Sequence, residues 1–121
     1  MKLEEIAKKI YPFNFFEPED EYEDTCSVTL YAGNYKPEIF EPRLEDGFEG
    51  GGYDWESLAI VFLKEKCPEL KEKIEFDSEA SMFCAYSTDK TALEQFALAF
   101  KAACEDDVLI QDLFSRAEPL F

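Results

Sequence analysis

Apolar positions along this chain recur with two periods. Leu3, Ile6, Ala7 and Ile10 fall on one helix face, which predicts a short amphipathic helix ended by Pro12. Phe13, Phe15 and Phe16 then predict a short extended segment, closed by Glu17 and Pro18. Cys26, Val28 and Leu30 alternate with Ser27, Thr29 and Tyr31, the pattern of a half-buried strand, and Ala32-Gly33-Asn34 is a turn signal. Residues 35–41, with Ile39 and Phe40, are expected as a further strand, which Pro37 and Pro42 confine to an edge or a short piece. Residues 46–52 read as loop. Asp54 is the expected N-cap of a helix whose face carries Trp55, Leu58, Ala59 and Phe62 and which runs to about Lys66; Pro68 stops or restarts it. Residues 74–76 and 81–86 read as the strands of a hairpin with a short loop at 77–80. Asp89 caps a helix striped by Leu93, Phe96, Ala97, Phe100 and Cys104, and Asp106 or Asp107 caps a last one carrying Leu109, Leu113, Phe114 and Ala117. With no repeat and no linker, this order predicts one α+β domain over residues 1–121, an antiparallel β-sheet packed against several amphipathic helices.

Composition supports a real core. The chain has 121 residues, 46% apolar and 16% aromatic, with 12 Phe, which is too apolar for disorder. No apolar run approaches the roughly 20 residues of a membrane span, and the N-terminus lacks the basic-then-apolar form of a signal peptide. A cytoplasmic protein without a membrane partner is the expectation. Cys26, Cys67, Cys84 and Cys104 are widely spaced, form no C-x-x-C, and have no His to complete a zinc site. They read as buried free thiols.

Charge changes the picture most. Six of the eight residues 17–24 are acidic: Glu17, Glu19, Asp20, Glu21, Glu23 and Asp24. Between Ile10 and Leu63, 13 Asp or Glu stand against Lys36 and Arg43 alone, so this stretch carries −11 of the chain's −16. Such a field accelerates encounter with a basic partner and repels nucleic acid. A merely solvated face is the plainer reading of the same charge.

Catalytic chemistry is missing. The chain has no histidine, and no Ser or Cys has a recognisable activating partner. Carboxylate pairs are inevitable among 28 acids and do not by themselves argue for a glycosidase. The Gly-rich run at 47–52 lacks the Lys-Ser/Thr and the spacing of a phosphate-binding loop, and the acids near Asp20 do not match an EF-hand. We therefore expect a protein with no catalytic residues, cofactor or metal. Residues 50–52 read as a tight loop feeding a helix. Trp55 reads either as core at the helix start or as an aromatic anchor of a binding surface.

Gly51-Gly52-Tyr53-Asp54-Trp55-Glu56-Ser57-Leu58-Ala59, together with the stretch from Glu75 to Tyr86 (EFDSEASMFCAY), resembles the bacterial immunity protein 51 family. The similarity runs from about Cys26 to about Ala117. Gly52, Tyr53 and Trp55 match the family motif; Gly51 stands where the family has a small or amide residue, a minor departure. The resemblance implies a protective partner of a polymorphic toxin and carries no catalytic residue. A nuclease-type toxin needs basic surface, so an acidic inhibitor that covers it stoichiometrically fits both lines of reasoning. The expected contact set is Glu17, Glu19, Asp20, Glu21, Glu23 and Asp24, with Glu45, Asp46 and Glu49, and the aromatic anchors Tyr22, Tyr31, Tyr35 and Phe48. The alternative is an acidic adaptor or DNA mimic that binds basic cellular proteins.

Overall fold

A computed structural model describes residues 2–18 and 24–120. The elements run α1 (Leu3–Ile10), β1 (Asn14–Phe16), β2 (Cys26–Tyr31), α2 (Gly52–Lys66), β3 (Glu75–Phe76), β4 (Met82–Ser87), α3 (Lys90–Glu105) and α4 (Asp107–Phe114). The four strands form one antiparallel sheet in the order β1-β2-β4-β3, an α+β fold as the alternating and helical periods imply.

Register decides which residues meet. Val28 pairs with Phe15 on one side and Ala85 on the other, Leu30 faces Phe83, and Phe76 faces Ala85. Because successive side chains point to opposite sides, these residues line one face of the sheet. The helices lie against that face: α1 touches β1 and α3, α2 touches β4, and α3 touches β2 and β4. Phe13, Trp55, Phe83 and Phe100 meet edge-on or tilted at its centre. Each of these rings is at least 97% buried, so apolar area removed from water drives assembly here. Trp55, 1% exposed, resolves to core: its indole also stacks on Tyr35 and meets Phe40 edge-on. All four cysteines are free, and only Cys84 is not fully buried.

Caps follow the sequence at α3 and α4 and depart from it at α2. Asp89 accepts the Ala92 N–H at 3.0 Å, and Asp106 accepts the Leu109 N–H at 3.1 Å. Asp54, expected as an N-cap, sits instead at the third helical position, and Gly51 takes the cap. From there the Asp54 carboxylate reaches back to the N–H groups of Glu49 and Gly50, each at 2.8 Å, and of Gly51 at 3.1 Å. It closes the preceding loop, as the acidic member of a capping box does.

The strand expected over 35–41 is a correction. Pro37–Ile39 and Glu41–Asp46 are 3-10 turns, each with a Pro in its first positions. Proline lacks an N–H and holds φ near −65°, which suits the start of a helical turn and not a ladder. Ile39 and Phe40 are nonetheless core, with Phe40 edge-on to both Trp55 and Phe114.

Candidate functional site

The two cations of the acidic stretch both turn inward. Lys36 stands in the left-handed region (φ 45°), and its ammonium donates to the Cys104 carbonyl at 2.8 Å and to Asp107 at 2.9 Å. It therefore sits on the carboxyl end of α3, where the helix dipole favours positive charge. Arg43 does the same for α4. Its Nη1 donates to the carbonyls of Phe114 at 2.8 Å and Ala117 at 2.6 Å, its Nε donates to Asp46 at 2.8 Å, and its guanidinium lies over the Phe48 ring. Glu38, Glu41, Glu45 and Glu49 are exposed on the same stretch. The sequence had shown how few these cations are, but not that both are engaged as helix caps.

The described acids of the expected contact set are divided between two ends of the sheet. Glu17 follows β1, Asp24 precedes β2, and Glu17 pairs with Lys90 at the start of α3 at 2.7 Å. Glu45, Asp46 and Glu49 lie in the segment that leads into α2. That segment is fixed at the opposite end of the sheet, where Gly52 N–H donates to the Ala80 carbonyl at 2.9 Å, just before β4. β4 separates the two groups by about 17–20 Å. Glu19, Asp20, Glu21, Tyr22 and Glu23 lie outside the described residues.

Aromatic placement corrects one expected anchor. Phe48 is 0% exposed, edge-on to Phe114 at 4.8 Å, and so belongs to the core and not to a contact surface. Tyr35 is half-buried: its ring stacks on Trp55, and its hydroxyl donates to Glu105 at 2.8 Å. Burial and that carboxylate push its phenol well above the ordinary tyrosine value. Tyr31 is 66% exposed at the end of β2. It stands over a groove of about 510 Å3 that it shares with Tyr11, Pro12 and Tyr35, with Lys101 and Glu105 at the wall. Those two wall charges pair with each other at 2.7 Å. Two surface aromatics were missed as contact candidates, Tyr11 and Phe16, at 75% and 53% exposure. Phe16 was legible, since Phe15 and Phe16 are neighbours on one strand and cannot face the same side.

Of the motif residues, Gly52 and Trp55 are buried and Tyr53 is half-buried in the first turn of α2. Gly52 is buried where the amino end of α2 meets the hairpin; a Cβ there would lie 2.5 Å from the Met82 carbonyl oxygen and closer still to that of Glu79. Gly51 is almost as confined, with the Ala80 carbonyl oxygen 2.7 Å from where its Cβ would stand. The two sequence blocks that carry the family resemblance, 51–59 and 75–86, therefore meet in space.

Among the described residues, no group of three His, Cys, Asp or Glu is placed to hold a metal ion, and no helix is long and apolar enough to cross a membrane. These features describe an α+β fold with acids at both ends of its sheet. The family model for Immunity protein 51 matches residues 19–119, and the chain belongs to that family. No curated protein and no solved structure gave a match.

Proposed function

We propose that this protein binds a cognate toxin domain, of basic and nuclease type, and neutralises it by stoichiometric occlusion through acidic surface. Membership of an immunity family supports a toxin partner. The observation that carries the finer reading is the engagement of Lys36 and Arg43 as helix caps. With both held against backbone carbonyls, neither is free to swing out and pair with the exposed Glu38, Glu41, Glu45 and Glu49 beside them. An inhibitor with such a field meets a basic active-site region at enhanced rate, by orders of magnitude at low salt. The protein acts as a non-catalytic partner inside the cell that makes the toxin.

The test uses the tagged protein as bait in lysate and secreted fractions, eluted with rising salt and then denaturant. One basic protein retained beyond about 0.5 M salt, where the Debye length is a few Å, is the expected result. That protein should also be toxic alone and harmless when co-expressed. A broad set of basic proteins released by modest salt would contradict the reading and favour a general acidic adaptor. Charge reversal at Glu19, Asp20 and Glu21 to Lys should slow association and flatten its salt dependence; an unchanged low-salt rate would remove that acidic block from the docking surface.

A further inference from the structure

We infer that the face of the β-sheet that no described helix covers, anchored by Phe16 and Tyr31, is the surface that seats the basic face of the toxin domain. This inference rests on the function proposed above. Nine side chains alternate away from the core: Asn14 and Phe16 on β1, Ser27, Thr29 and Tyr31 on β2, Met82, Cys84 and Tyr86 on β4, and Glu75 on β3. The described helices pack against the opposite face; Tyr31, at the strand end, also borders the groove walled by Lys101 and Glu105 of α3.

Register arranges the nine in rows. Phe16, Ser27, Tyr86 and Glu75 form one end, since Phe16 pairs with Ser27, Ser27 with Tyr86, and Tyr86 with Glu75. Tyr31 and Met82 form the other. Asn14, Thr29 and Cys84, all small, lie between them; Thr29 at 7% exposure is the floor of this middle row. Phe16 and Tyr31 thus stand about 14 Å apart, at roughly 3.4 Å per residue, on either side of a shallow centre. Large aromatics around a low-charge centre have the anatomy of an interface core.

Charge complementarity selects the occupant. Not one of the nine positions is Lys or Arg, and the sole ionised group among them is Glu75. Acids border both ends: Glu17 and Asp24 beside the Phe16 row, Asp77 and Glu79 beside Met82 and Cys84. The face therefore offers two aromatic anchors about an uncharged centre inside an acidic rim, which suits a basic protein surface with its own apolar or aromatic groups. A second copy of this chain would bring another −16 to the contact and is disfavoured.

The probe is the toxin domain captured by the wild-type protein, purified alone. Phe16→Ala and Tyr31→Ala should each raise Kd at least about 30-fold, mainly through faster dissociation. Val108→Ala, at an 83% exposed site on α4, should leave it unchanged. Melting curves of every variant separate lost contact from lost fold. A measurement on wild-type protein needs no variant: Cys84, on this face, should lose at least 10-fold of its maleimide reactivity in the complex. Unchanged Kd in both variants, or unprotected Cys84 in the complex, overturns the docking face while leaving the toxin-binding function standing. Failure of the wild-type protein to bind or neutralise any toxin domain overturns both. A dimer of this chain that Tyr31→Ala dissolves would also overturn the assignment, since the face would then seat a second copy.

Discussion

Gly52→Ala is expected to destabilise the protein by about 1–3.5 kcal/mol net, because α2 meets the hairpin with no space for a side chain. The Gly52 N–H donates to the Ala80 carbonyl at 2.9 Å. A Cβ at Gly52 would lie 2.5 Å from the Met82 oxygen and 2.6 Å from its carbonyl carbon, where ordinary contact begins at 3.4 Å. The obstructing atoms are backbone, so no side chain can swing aside. The Glu79 carbonyl oxygen is nearer still, so the amino end of α2 must back away by about 1.5 Å, an overpacking cost of about 1–3 kcal/mol. Losing the Ala80 hydrogen bond adds about 1 kcal/mol. Alanine's advantage over glycine in a helix returns about 0.5–1 kcal/mol. Two controls bracket the effect. Gly51→Ala meets a single carbonyl oxygen at 2.7 Å and should lose less; Gly33→Ala enters open space but at φ +112°, so any loss there reports backbone strain alone. Urea unfolding at fixed salt, followed by Trp55 fluorescence and by circular dichroism, measures all three. A Gly52→Ala protein within about 0.5 kcal/mol of wild type, or more stable than Gly51→Ala, would refute the close approach as the reason for this glycine.

Trp55→Ala should cost about 3–5 kcal/mol, and the wild-type indole should emit blue and resist quencher; a red, quenchable Trp55 in free protein would contradict its burial. Arg43→Met should cost about 2 kcal/mol by leaving the Phe114 and Ala117 carbonyls without their cation, against a smaller loss for Arg116→Met, whose partners Glu65 and Asp112 are exposed carboxylates; equal losses in chemical denaturation would contradict the capping role. Cys84 should be the first thiol alkylated in native protein, and increasingly so above pH 8, because burial, with Asp77 and Glu79 nearby, raises its pKa; mass mapping that finds Cys104 modified first would contradict this. Hydrogen bonds depress the carboxyls of Glu65, Asp89, Glu105 and Asp112. Their contribution is therefore complete above the ordinary carboxylate range and is lost as pH falls below that range, through their lowered values. Self-repulsion of the −16 chain is relieved over the same descent toward the pI of 4.2. Thermal stability should thus rise on mild acidification and with added salt at neutral pH, then collapse below about pH 4; a monotonic fall from pH 7 downward would show that repulsion is not significant.

Where a local signal and its tertiary context agreed, the sequence was readable. Cys26 to Leu30 alternate because one side of β2 faces the helices and the other does not. Asp89 and Asp106 stand directly before apolar stripes, and both cap. The segment 35–41 misled because Ile39 and Phe40 are apolar neighbours among prolines; their burial comes from packing on Trp55 and Phe114, distant in sequence, and not from a ladder. Asp54 misled by three positions, since a carboxylate that closes a loop from inside the first turn looks like one that caps from outside it. For the site, the scarcity of cations was visible, but only the fold reveals that Lys36 and Arg43 reach α3 and α4. Phe48 looked like a surface aromatic because acids flank it; the ring itself turns under Arg43 into the core.

The most direct test of the central claim is a titration of the purified toxin domain's activity with this protein, at toxin concentration well above Kd. Occlusion predicts a linear fall in activity to a break at one inhibitor per toxin, with full activity recovered when the complex is separated in denaturant and the toxin refolded. Undiminished activity at excess inhibitor, or inactivation complete at far less than one equivalent, would contradict neutralisation by stoichiometric binding.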